Sequence, residues 1–322
     1  MKNLITGGAG FIGSHLAEAL LKRKEEVVVI DNLSTGNMEN IEHLKANQKF
    51  SFHIDTIMNE SLMKRLVKEC DIVYHMAAAV GVKYIIDNPL ESLQTNVKGT
   101  EIVLELANSL GKKKVVIAST SEIYGKDRPG KRKFNENDDR VLGSTTISRW
   151  SYSCAKAMDE FLALAYWREK KLPVVIVRFF NTIGPRQTGT YGMVAPRFVK
   201  HALLGQPIII YGDGKQTRSF CHVEDVVKAL IELAKSDKAV GDIFNIGNPD
   251  PITIKELAEK VKHLTGSNSP LVYVPYEKAY EKGFEDMRHR EPDITKIKDL
   301  IGFQPKIGLD EALKTIIKYF EK

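Results

Sequence analysis

The stretch LITGGAGFIGSHL, residues 4–16, constrains this chain more than any other. Gly7, Gly10 and Gly13 follow a short apolar run and open an amphipathic pattern, with Phe11 and Ile12 between the last two. A turn this tight needs residues without a Cβ. The missing side chains let the backbone approach a pyrophosphate, and the N-terminus of the following helix faces its charge. Strand, glycine turn and helix in that order commit the chain to an α/β fold with a dinucleotide site. Asp31 ends the second apolar run. A carboxylate there accepts hydrogen bonds from a ribose 2′-OH and repels a 2′-phosphate, which favours NAD over NADP.

The rest of the N-terminal half keeps this rhythm. Residues 2–6, 26–31, 49–54, 71–75, 113–118 and 173–179 read as strands rich in Val and Ile. Helical patterns fill 11–24, 37–46, 59–69, 87–110 and 151–171. Such alternation implies right-handed crossovers and a parallel sheet covered on both faces. The expected fold is a Rossmann-type, doubly wound parallel sheet with a smaller C-terminal α/β lobe. The NAD-binding part runs over 1–180 and the substrate lobe over 181–322, where Gly and Pro become frequent; segments near 219–245 are candidates to return to the first part.

Composition narrows the function classes. The chain has 322 residues, 43% of them hydrophobic and 27% charged, enough for a sizeable core without staples. Cys70, Cys154 and Cys221 are scattered without metal-ligand spacing, which points to a reducing compartment, no disulfide framework and no metal site. The start lacks the apolar core of a signal peptide and no stretch is long enough to span a membrane, so a cytoplasmic protein is expected. The net charge is +6, and the one dense basic patch, GKDRPGKRKF at 125–134, reads as a solvated loop. No nucleic-acid partner is expected. A modest basic excess suits an anionic small substrate.

Tyr152 and Lys156 stand four apart in WSYSCAKAMDEF, hence on one helical face. An ammonium beside a phenol favours the phenolate, and a phenol so tuned can take a proton from a sugar hydroxyl while hydride leaves the same carbon. Glu122, in TSEIYG just past the apolar run KVVIAST, poses a separate question, since a carboxylate at the end of a buried strand is costly unless paired or used.

Taken together, TGGAGFIGSHL, DNLSTG, YHMAAAVGV, TSEIYG, YSCAK, RFFNTIGPRQ, YGDGKQTRSFCHVEDV and HREPDI resemble the extended short-chain dehydrogenase/reductases that remodel nucleotide sugars. That family includes epimerases, 4,6-dehydratases and UDP-glucuronate decarboxylases. The resemblance implies a tightly held, recycled NAD and a UDP-sugar substrate. Asp31, Asn32, Ser34 and Gly36 would hold the adenosine ribose, and Asp55 and Thr56 would meet the adenine. Met76, Ala77 and Ala78 would line the cofactor, with Lys83 reaching it and Phe179 beside the nicotinamide. Thr120, Tyr152 and Lys156 would form the oxidising triad. Asn181, Arg218 and Arg290 match positions that grip the diphosphate; Tyr211 falls where the family flanks uracil, and Asp293 where it meets the uridine ribose. The resemblance also implies a homodimer through paired helices of the first lobe. The apolar stripes of residues 90–110 and 158–167 fit such a contact, or equally packing on the sheet.

These enzymes begin by oxidising C4 of the sugar. A C4 ketone acidifies the C5 proton and stabilises the enolate left when a C6 carboxylate departs. A Glu near C5 can act there as acid or base, and an apolar setting would raise its pKa toward the working range. Glu122 therefore points to chemistry at C5 or C6: decarboxylation of UDP-glucuronate, 5-epimerisation, or processing of a 5,6-unsaturated UDP-sugar. Dehydratases carry Asp where this chain has Ser121, which argues against classical dehydration. Decarboxylases resemble this chain in Thr-Ser-Glu, and some in the pair Arg149-Trp150. Arg186, in GPRQTG, is a candidate reader of a sugar carboxylate. The alternatives are a simple UDP-hexose 4-epimerase and, against Asp31, a 4-keto-sugar reductase.

Overall fold

The computed structural model describes residues 1–126, 130, 133–189, 193–279 and 287–321, apart from the side chains of Val82, Lys83, Ile86, Glu277 and Ala279. Seven parallel strands form the central sheet: β1 (Lys2–Thr6), β2 (Glu26–Asp31), β3 (Phe50–Ile54), β4 (Ile72–His75), β5 (Lys114–Thr120), β6 (Val174–Phe179) and β7 (Asp242–Ile246). Their order is β7-β6-β5-β4-β1-β2-β3. Runs such as Val115, Val116 and Ile117 are wholly buried, as central parallel strands covered on both faces must be. The order reverses between β1 and β4. In open α/β sheets a ligand binds outside the carboxyl ends of the strands at such a point.

Helices cover both faces. On one side α1 (Phe11–Lys22) packs against α6 (Val223–Lys235), burying Leu16, Leu20, Val226 and Leu230 with Val27 and Val175 of the sheet. On the other, α2 (Glu60–Glu69), α3 (Pro89–Ser109) and α4 (Arg149–Ala165) bury Met63, Leu66, Val103, Leu104 and Ala163 against Val73 and Ile176. Each such aliphatic side chain contributes roughly 1.5–3 kcal/mol by leaving water. Local signals set the helix starts. The Asn59 side chain accepts the Leu62 N–H at 3.2 Å ahead of α2, and Pro89 opens α3 where its missing N–H costs nothing.

The remaining elements form a smaller cluster. Helices α5 (Val194–Leu203), α7 (Ile254–Thr265) and α8 (Leu309–Phe320) bury Phe198, Val199, Leu257, Val261, Leu313 and Ile316 around the strand Ile208–Tyr211. Strand β7 pairs with β6, so a late segment of the chain completes the first sheet. Among the described residues, no helix is long and apolar enough to cross a membrane. The basic patch at 125–134 lies partly outside the described residues.

Candidate active site

A cleft of about 1150 Å³ runs from the glycine turn, across the ends of the sheet strands, to Tyr211 and α8. Gly7 sits at φ +69°, and an added Cβ would lie 2.7 Å from the Ala77 nitrogen. A Cβ on Gly13 would lie 2.3 Å from the Gly7 carbonyl oxygen, so the first turn of α1 closes on the loop only because this residue has none. Asp31 accepts the Ala9 N–H at 2.9 Å and the Leu33 N–H at 2.8 Å, which fixes its carboxylate at the end of β2. Gly36 packs against that carboxylate. Asn32, Ser34, Asp55, Met76, Ala77 and Ala78 line the same end of the cleft with Phe11 and Ile12. A backbone cradle that any Cβ would fill, with a carboxylate one strand away, fits a dinucleotide. Thr56 is absent from the lining, and its hydroxyl accepts the Met58 N–H at 3.3 Å. The Lys83 side chain lies outside the described residues.

Gly13→Ala is therefore expected to abolish NAD retention. The clash is with backbone, which cannot swing aside as a side chain can. Nucleotide released on denaturing the purified variant measures it, and a full complement of NAD would contradict the cradle.

The middle of the cleft explains the carboxylate after β5. Thr120 ends the strand in an extended conformation, and its hydroxyl accepts the Glu122 N–H at 3.1 Å. That capped 3-10 turn, Ser121–Tyr124, throws Glu122 forward into the cleft instead of into the sheet. Arg149, the first residue of α4, donates to one Glu122 oxygen at 3.1 Å. Arg290 donates to the other, and its second nitrogen donates to the Asn181 side-chain oxygen at 2.9 Å. Burial pulls the Glu122 carboxyl upward, but Arg149, Arg290 and Arg218 outweigh it and hold the group well below the usual carboxylate range. The expectation of a raised Glu122 pKa is thus corrected: its surroundings are guanidiniums, not apolar side chains.

The Tyr–Lys pair also needs correction. Tyr152 lines the cleft near Thr120, but Lys156 does not line it. The Lys156 ammonium donates to Asp159 at 2.6 Å, with both side chains buried. Burial, then the charges of Glu122 and Asp159, push the Tyr152 phenol above its ordinary range, and only an interaction with Thr120 works the other way. The ammonium expected beside the phenol is paired with Asp159.

Further along, Asn181 follows β6 and donates to the Ser219 carbonyl at 3.1 Å, while Phe179 lines the cleft. Arg218 lines it too, steadied by the Thr217 carbonyl at 2.7 Å. Arg186 binds Glu18 of α1 at 2.9 Å, so its guanidinium leans on the dinucleotide side. Tyr211 lies under the Arg197 guanidinium, 4.6 Å from the ring centroid. Asp293 is outside the lining and accepts the Thr295 N–H at 2.9 Å. Two groups escaped the site assignment drawn from sequence: Arg197, and Arg149 as a partner of Glu122. Only the Arg149-Trp150 pair signalled the second.

Comparison with known proteins gives the family. The family profile described as GDP-mannose 4,6 dehydratase matches residues 4–316. The UDP-N-acetyl-alpha-D-glucosaminuronate decarboxylase of Bacillus cytotoxicus is 45% identical over 320 residues, covering 99% of this chain and 97% of the relative. The chain belongs to the nucleotide-sugar epimerase/dehydratase family of extended short-chain dehydrogenase/reductases. UDP-glucuronic acid decarboxylase 1 of Arabidopsis thaliana is 37% identical, covering 99% of this chain and 70% of its own length. Among solved structures, a UDP-glucose 4-epimerase from Thermotoga maritima with UDP-glucose superposes with a TM-score of 0.88 at 34% identity, over 100% of this chain and 99% of that one. A UDP-glucuronic acid 4-epimerase from Bacillus cereus, in complex with UDP-glucuronic acid and NAD, superposes with a TM-score of 0.87 at 28% identity, over 100% and 99%. Like other members of this family, the protein is an NAD-dependent enzyme.

Proposed function

We propose that this enzyme decarboxylates a UDP-linked hexuronate through transient oxidation at C4. The observation that carries the reading is the set of charges in mid-cleft: Arg149, Arg218 and Arg290 converge on the carboxylate of Glu122. Three guanidiniums gathered at one place suit a diphosphate and a sugar carboxylate together, since their forks match phosphate and carboxylate oxygens. NAD, when bound, takes the C4 hydride and returns it. Tyr152 takes the C4 hydroxyl proton, with Thr120 beside it. The C4 ketone then accepts the electron pair left when the C6 carboxylate departs as CO₂. Ionised Glu122 repels that carboxylate until it leaves, while the arginines hold it in place. A solvent proton replaces CO₂ at C5, delivered at the Glu122–Arg290 pair. Tyr152 finally returns its proton to the C4 oxygen.

The decarboxylase names of the sequence relatives support the same reaction, and the Bacillus cytotoxicus relative favours a 2-acetamido uronate. Incubation in D₂O with UDP-N-acetylglucosaminuronate, UDP-glucuronate, UDP-glucose and UDP-N-acetylglucosamine tests it by mass spectrometry and proton NMR. The expected product has lost CO₂ and gained one deuterium at C5. A sugar inverted at C4 without deuterium would make the enzyme a simple 4-epimerase and reduce Glu122 to a structural role. Deuterium at C5 with the carboxylate retained would mean 5-epimerisation.

We infer further that the enzyme is a homodimer. Helices α3 and α4 pack side by side and leave Leu90, Leu93, Met158 and Phe161 exposed, Phe161 by 64%. Phe161→Glu is expected to yield monomers in size-exclusion chromatography with light scattering. A variant that elutes as wild type would move the interface elsewhere.

A further inference from the structure

We propose that Asn245 is a positioning residue for the mid-cleft charges: it ties the turn that carries Glu122 to the segment that carries Arg290, and so sets the geometry of the pair. The proposal rests on the reading of that pair as the group that acts at C5. Asn245 lies on β7, wholly buried, and does not line the cleft. It therefore acts through its neighbours, not on the sugar. Its side-chain oxygen accepts the Tyr124 hydroxyl at 2.7 Å. Its amide nitrogen donates to the Phe134 carbonyl at 2.9 Å and to the Asp293 carbonyl at 3.1 Å. Tyr124 closes the 3-10 turn two residues after Glu122. Asp293 follows the short strand Glu291–Pro292, three residues after Arg290.

The partners leave that amide one orientation. Two carbonyls can be met only by its NH₂ group. The Tyr124 hydroxyl accepts the Arg178 guanidinium at 3.0 Å, so its own proton goes to Asn245. Burial pushes this phenol up to about 12, and it keeps that proton at neutral pH. Arg178 is itself fixed by both oxygens of Glu160 on α4, at 2.9 and 2.7 Å. Phe134 completes the join. Its ring stacks on Tyr124 with centroids 5.0 Å apart, and its carbonyl also accepts the Asp293 N–H at 2.9 Å. Arg149 and Asn181 hold the tips of the Glu122–Arg290 pair, whereas Asn245 holds the two stretches of backbone from which the pair reaches out.

Tyr124→Phe removes the hydroxyl and keeps the ring on Phe134; Asn245→Ala removes the whole tie. In both, single-turnover C4 oxidation is expected to stay within about twofold of wild type while CO₂ release slows about tenfold, since small misplacements of acting groups are felt that strongly in rate. The ratio of the two steps is read within each turnover, so it does not depend on how much of a preparation is folded. A merely structural Asn245 would lower the melting temperature and leave the ratio unchanged, as the core truncation Ile246→Val on the same strand should. The double variant should be no slower than Asn245→Ala alone, because both cut one connection. A second arm needs no substrate. Glu122→Gln should lower the melting temperature by less in the Tyr124→Phe background than in wild type, because the pair that it breaks is already loosened. Equal drops in the two backgrounds, or an unmoved ratio in an enzyme that releases CO₂, would overturn the proposal. A smaller drop in a protein that turns over no uronate would sustain the tie and refute the reaction.

Discussion

Tyr152→Phe is expected to lower turnover by about three orders of magnitude or more while NAD stays bound. In the proposed mechanism the phenol, which lines the cleft with Thr120, exchanges a proton with the C4 hydroxyl of the sugar. Removing one oxygen leaves the fold untouched, since the Tyr152 ring keeps its place on α4. The pH dependence follows from the environment. Burial and the flanking carboxylates raise the Tyr152 pKa, so the base form is scarce at neutral pH and C4 oxidation speeds up as pH rises. The residual rate in Tyr152→Phe should lose that rise. Single-turnover formation of reduced nicotinamide across a pH series measures both effects. A variant that retains the pH-dependent rise would give the base role to another group.

The scaffold was legible in the sequence because its determinants are local. The glycine loop, the apolar runs and the acidic end of β2 each speak through a few adjacent residues, and six of the seven sheet strands form where they indicated; the seventh, Asp242–Ile246, had no such run and was foreshadowed only as a segment near 219–245 that could return. The electrostatics of the centre were not legible. Glu122 takes its partners from 27 and 168 residues away, and no periodicity announces which arginines converge there. Lys156 shows a subtler failure. On a helix, Tyr152 at i−4 and Asp159 at i+3 lie on the same side of the lysine. Spacing admits both, and the ammonium pairs with the carboxylate, a full charge, over a neutral phenol.

Glu122→Gln carries the second large effect. In the proposed mechanism oxidation at C4 is assigned to Tyr152 and should survive, whereas the later step is assigned to an ionised Glu122 and should slow by about 10²–10³-fold. Reduced nicotinamide should then accumulate with the 4-keto sugar, visible in the near ultraviolet, and deuterium should fail to enter C5 at the normal rate. Stability changes as well. The Glu122 pKa is depressed in the folded chain, so its contribution is complete above the ordinary glutamate pKa of about 4.3 and is lost as pH falls through the folded value. The gap in melting temperature between wild type and Glu122→Gln should accordingly be widest at neutral pH and shrink in acid. The variant also removes the Glu122 charge from Arg149 and Arg290, and breaking such a partly buried pair costs up to about 3 kcal/mol. Kinetics and melting together separate the roles. Slow turnover with trapped reduced nicotinamide marks a group that acts on C5, whereas a melting change with normal turnover would leave Glu122 as no more than the counter-charge of its two arginines.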